Sequence, residues 1–171
     1  ISGLVNHPVE NVSLNNIHII CEGGGSEEDA HRRNMGDRNK EYPETLIFAD
    51  APAYGFFIRN VEGLRMQNIF LESQSEDPRS ALYCENVESM SLHRFTFENP
   101  EPGAPLIILN QCANIQISGN LPVGINNTLL QVEGSANRRI TLYNNDLSVY
   151  RQPVLFKRGA RNDAVKCLDS F

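Results

Sequence analysis

The sequence is notable first for what it lacks. No apolar run approaches 18 residues, so no stretch reads as a membrane-spanning helix. It has no initiator Met and no signal-peptide pattern; it opens ISGLVNHPVENV, close to a strand. That opening is read as a mature or truncated segment. The four cysteines form no close-spaced metal motif and are read as buried thiols acting as small hydrophobes. One bridge between neighbouring coils, Cys84 with Cys112, is the alternative. Lysine is scarce, with 3 Lys against 12 Arg, and net charge is −6, which argues against a nucleic-acid partner. The Arg bias suits either surface ion pairs or the planar recognition of carboxylates.

What is present is a period. NVEGLRMQNIFLE at 60–72 and NVESMSLHRFTFE at 86–98 place apolar residues in the same phase, 26 residues apart. The phrase recurs at Ile115 and Ile117, Ile140 and Leu142, and Val165 and Cys167. Upstream, Val12 and Leu14 hold the same phase. The steps are 52, 26, 25, 25 and 25 residues. Each copy alternates with period two, the mark of a strand with one buried face. A second alternating pair follows (Ile17 and Ile19, Ile69 and Leu71, Phe95 and Phe97), weakening where Asn120 and Asn145 replace the first apolar residue. A third strand precedes each phrase, at 56–58, 82–84, 107–109 and 130–132.

Three short strands per repeat predict an all-β protein, a right-handed parallel β-helix of about six coils of 25–26 residues with equivalent side chains stacked in columns. Asn16, Asn68, Asn144 and Gly119 lie between two of the strands and suit the left-handed backbone of a sharp corner; Arg94 departs from the series. An eight- or nine-stranded β-sandwich explains alternation but not a constant period. The predicted inward column is Leu14, Met66, Leu92, Ile117, Leu142 and Cys167.

The double step from Val12 to Leu64 does not hide another coil, because Arg38 and Lys40 would then point inward unpaired. The reading is one domain over 1–171 with a long inserted loop at about 23–54, charged in front and aromatic behind. Glu27, Glu28, Asp29 and His31 are read as a solvated charge run rather than metal ligands. Tyr42 and Tyr54 offer rings for stacking on sugars or pins for the loop; both readings are open. No metal or cofactor is expected.

ISGLVNHPVENVSLNNIHI, then GGG, YPE and PAYGFFIRNVEGLRMQNI, resembles bacterial family 28 glycoside hydrolases, the polygalacturonase-like pectin enzymes, over about residues 1–98. The resemblance implies a pectin lyase-like solenoid, a pectin-type substrate, inverting hydrolysis by two carboxyl groups, and a periplasmic or secreted location. It also implies weak binding of acidic oligosaccharide, for which Arg59, Tyr42 and Tyr54 are the candidates. The family signatures Asn-Thr-Asp, Asp-Asp, Gly-His-Gly and Arg-Ile-Lys are absent, and NND at 144–146 and RIT at 139–141 sit in ordinary coil phase. No catalytic residue is therefore assigned. The expectation is a C-terminal portion of such an enzyme, inactive alone, whose partners are missing N-terminal coils or a second copy. A non-catalytic carbohydrate-binding or adhesive β-helix is the alternative.

Overall fold

A computed structural model describes residues 1–33, 35, 51–98, 103–120 and 128–169. The architecture is a parallel β-solenoid. Strand β1 is Val9–Cys21, β2 Ala53–Ser73, β3 Ser80–Glu98, β4 Ile107–Asn110 and β5 Ala113–Ser118. Then come β6 Leu130–Glu133, β7 Arg138–Tyr143, β8 Val154–Lys157 and β9 Val165–Leu168, and every strand pairing is parallel. Among the described residues the only helical pieces are α1, Glu27–His31, and a 3-10 turn at Asn162–Ala164. Among the described residues no helix is long and apolar enough to cross a membrane.

Strand β2 runs for 21 residues, about 70 Å if straight at roughly 3.3 Å per residue, so it bends round the corners of the coil. The first face stacks 56–59, 82–85, 107–110, 130–133 and 154–157. The second stacks 12–15, 64–67, 90–93, 115–118, 140–143 and 165–168. Among the described residues the third is strand-like at 17–21, 69–73 and 95–98.

The expected column forms in register: Leu14 on Met66, Met66 on Leu92, Leu92 on Ile117, Ile117 on Leu142, Leu142 on Cys167. Its middle four members are buried, while Leu14 is half-buried and Cys167 exposed because the stack stops beside them. Closed turns number about four rather than six. Six rows on one face do not make six turns, since a turn needs all three sides. The bottom row reaches the next through the insertion, and the top row shows no third strand among the described residues.

Left-handed corners hold the coil's shape. Asn16, Asn68, Arg94, Gly119, Asn144 and Asp169 all have φ between 46° and 66°. Arg94 thus adopts the corner conformation despite its long side chain, because the rows above and below impose it. Two further left-handed columns appear: Asn11, Gly63, Ser89, Asn114 and Arg139, and Asn60, Asn86, Gln111, Gly134 and Arg158. Corner amides bond along the stack, Asn86 Nδ2 to Asn60 Oδ1 at 2.8 Å and Asn68 Nδ2 to Asn16 Oδ1 at 3.0 Å.

Higher on the third face, at 120 and 145, buried asparagine side chains supply hydrogen bonds between rows. Asn120 Oδ1 accepts from the Phe95 amide at 2.7 Å and Asn145 Oδ1 from the Asn120 amide at 3.1 Å. The apparent weakening of the later repeats is therefore a change of satisfaction scheme, amide side chain for backbone.

All four cysteines are free. Cys84 and Cys112 lie buried in neighbouring coils without a bridge, the Cys112 thiol instead reaching the Cys84 carbonyl at 3.6 Å. Burial pushes the Cys112 thiol up to about 12 and Cys84 well above its ordinary value, so neither is a ready thiolate.

Two outcomes test this fold. Leu92→Ala should lower unfolding free energy by about 2–5 kcal/mol in urea titrations, since rigid stacked coils cannot collapse on the void. Arg94→Asn should raise it by about 1 kcal/mol, because asparagine tolerates the left-handed corner better; an unchanged urea midpoint would count against strain there.

Candidate functional site: a roofed groove on the first face

On the first face alternation sends Phe56 and Ile58 inward and Phe57 and Arg59 outward. Register then builds two outer columns. One is Phe57, Tyr83, Ile108, Gln131 and Leu155; the other is Arg59, Glu85, Asn110, Glu133 and Lys157. Outward residues of a solenoid are ordinarily wet, yet Tyr83, Ile108, Gln131 and Glu133 are buried. The insertion covers them. Met35, Ala51 and Ala53 pack with Phe57, Tyr83 and Ile108 as a second apolar cluster outside the cylinder.

The front of the insertion is more ordered than its charge suggests. Ser26 caps α1: its Oγ accepts from the Asp29 amide at 3.1 Å and donates to the Asp29 carboxylate at 2.6 Å. The Ser26 hydroxyl and the Arg32 guanidinium hold Asp29 below its ordinary value. The glycines before it are needed for close approach. Gly23 and Gly24 have positive φ, and a side chain on Gly23 would strike Ser73 and Ser75. The Gly25 amide donates to Asp77 at 3.1 Å, and buried Asp77 is also gripped by Arg79 at 2.7 Å. The loop thus leaves the stack along a fixed path. Glu27, Glu28, Asp29 and His31 lie on this helix, and among the described residues no three of His, Cys, Asp and Glu could share a metal ion.

Just past α1, Arg33 crosses to the stack. Its Nε and Nη2 donate to the two Glu133 oxygens at 2.8 and 3.1 Å, its Nη1 donates to the Ala30 and Arg32 carbonyls, and its guanidinium lies 5.2 Å over the Tyr83 ring. Arg158 approaches the same Glu133 from the other side, Nε to Oε2 at 3.3 Å, and Gln131 donates to Oε1. Glu133 is 1% exposed. Burial alone would raise its pKa; the Arg33 hydrogen bonds, the two guanidinium charges and Gln131 more than offset that and hold it below the ordinary 4.5. Burial raises Tyr83 far above its ordinary value.

Beside this clamp is a groove of about 390 Å³ between α1, the segment around Pro105 and the upper rungs of the first face. Arg33, Lys157 and Arg158 supply its positive charge, Glu133 its floor, and Glu27 and His31 its rim. The His31 Nδ1 sits 2.7 Å from the Glu27 carbonyl.

Of the sequence candidates, Tyr42 lies outside the described residues. Tyr54 packs against the solenoid core, and burial raises its hydroxyl far above the ordinary value. Arg59 is half-buried in the same outer column as Glu133, beside Glu85 in the next row. Neither Tyr54 nor Arg59 lines the groove. Sequence reading passed over Arg33, Glu133, Lys157 and Arg158. Phase arithmetic carried a signal, since 133 and 157 fall in the outward phase of Arg59. Nothing local marks Arg33 as their partner across 100 residues.

Register also places Glu85 two rows below Glu133, roughly 9.6 Å away at 4.8 Å per row. Burial raises Glu85, with Arg59, Arg33 and an Asn110 hydrogen bond only partly offsetting it. The two carboxyls therefore shift in opposite directions. Glu85 does not line the groove, however, and the Glu133 oxygens are taken up by Arg33, Arg158 and Gln131. Comparison with family models, curated proteins and solved structures gives no match to this chain.

Glu133→Gln should destabilise the protein by about 3 kcal/mol, because it strands two guanidiniums around a buried amide. The depressed pKa of Glu133 contributes stability above its unfolded value near 4.5, lost as pH falls through the lower folded value. Acid unfolding monitored by circular dichroism should accordingly lose part of its low-pH limb in the variant; an unaltered acid profile would contradict the clamp.

Proposed function

We propose that this chain is a right-handed, polygalacturonase-like β-helix segment that binds acidic, pectin-type sugar in the first-face groove without cleaving it. The observation that carries the reading is Arg158. Glu133 fixes its guanidinium, yet the side chain remains 56% exposed at the groove wall. A guanidinium so placed offers a planar fork to an incoming uronate carboxylate. The groove also holds three cations, Arg33, Lys157 and Arg158, against two carboxylates, Glu27 and Glu133, in a chain whose net charge is −6. Arg59, lower in the same column, fits as a contact for a longer oligomer. A pectin-type ligand would place the protein in a periplasmic or secreted setting.

Hydrolysis is the second reading, favoured by the opposed shifts of Glu85 and Glu133 on one column. Against it stands the geometry: an inverting pair must flank one bond and leave room for water. Here Glu133 has no oxygen open to water, and Glu85 is outside the groove.

Incubation with polygalacturonate should release no reducing sugar, whereas calorimetry with a galacturonate trimer should show binding, on the order of millimolar Kd. Arg158→Ala should weaken that binding about tenfold or more. Sugar release that Glu85→Gln abolishes would establish the hydrolytic reading instead. Trimer binding that Arg158→Ala leaves intact would move the site off this groove.

A further inference from the structure

The outward side chains of the second face are exposed or half-buried, and the face differs in charge from the molecule as a whole. Positions 13 and 15, 65 and 67, 91 and 93, 116 and 118, 141 and 143, and 166 and 168 point outward from it in stacked register. None is Asp or Glu, although the chain carries 21 acidic residues. Arg65 and Lys166 are exposed on the face, and Arg94 and Arg139 are exposed at its two left-handed corners. None of these four pairs with a carboxylate among the described residues; Arg139 bonds instead to the Asn114 side-chain oxygen. Carboxylates border the face without entering it: Asp169 ends one corner, and Glu10, Glu62 and Glu88 lie just past the other. Glu88 is already engaged by Asn114 and Arg138.

We infer that this second face is a binding surface for an extended, carboxylate-bearing polysaccharide, separate from the groove. The inference rests on the acidic-sugar reading for its ligand class. Six stacked rows span about 24 Å, which suits a polymer lying across rungs rather than a compact molecule. Between the cations the outward residues are hydroxyl, amide and imidazole groups (with Tyr143 and Leu168 at one end), matched to a ligand rich in hydroxyls. Duplex nucleic acid carries one charge per about 1.7 Å, far denser than four cations over this length, and the face has too few aromatic rings to stack successive bases.

The test uses the full chain and two probes, a galacturonate polymer long enough to cross the face and a galacturonate trimer. The variant combines Arg65→Gln, Arg94→Gln, Arg139→Gln and Lys166→Gln; should it unfold by circular dichroism, Arg65→Gln with Lys166→Gln replaces it. Polymer affinity should fall about tenfold or more while trimer binding stays as in the parent protein. Polymer binding that is sensitive to these changes, without any trimer binding, would uphold the face and remove only the groove. Polymer binding unaffected by the variant, or absent from the parent protein, overturns the inference. Single-stranded DNA of equal length bound as tightly as the polymer overturns the polysaccharide assignment.

Discussion

The structure depends on parallel stacking at a fixed interval. Each backbone position sits about 4.8 Å above and below its counterparts, so a residue must suit its own place and those of its neighbours. Inward columns consequently become apolar ladders, and corners become runs of left-handed residues in which amides bond to amides. The stack also constrains exceptions. Arg94 and Arg139 accept a conformation unfavourable for their side chains because leaving it would break register with intact rows on either side.

That constraint divides the surface by what covers it. The second face presents exposed and half-buried, mostly polar side chains. The first is covered by an insertion that begins on three glycines, caps the short helix α1 and sends Arg33 to Glu133. The resulting clamp does two jobs. It fixes the insertion to a rung 100 residues away, and it sets the charge and shape of the adjoining groove. Burying an ion pair is costly unless its remaining donors and acceptors are satisfied; here Gln131, the Ala30 and Arg32 carbonyls, the Tyr83 ring and Arg158 all take part.

Two acidic side chains of the first face illustrate how little residue type alone decides. Glu85 and Glu133 occupy the same outward phase on the same face. Burial dominates at Glu85 and raises it, whereas guanidinium contacts dominate at Glu133 and lower it. The difference comes from the hydrogen bonds and charge of Arg33, a loop residue, joined by Arg158 and Gln131.

The sequence by itself determined the solenoid: the 25-residue period, the inward ladder from Leu14 to Cys167 and the asparagine corners follow from alternation and turn chemistry, which are local and repeat. It also argued against a coil between Val12 and Leu64, which stack directly on each other, whereas Arg38 and Lys40, on which that argument rested, lie outside the described residues. It did not disclose the left-handed corners at Ser89, Gln111 and Arg158, whose side chains carry no preference for that conformation. Nor did it show that Asn120 and Asn145 continue the fold by other hydrogen bonds. Tyr54 suited either a sugar-stacking ring or a pin for the loop in the chain alone, and in the fold it packs against the core where the returning chain enters the stack. The groove was decided only in three dimensions. Arg33 meets Glu133 and Arg158 because the insertion folds back over four rungs, and a contact of that range leaves no periodic trace in the chain.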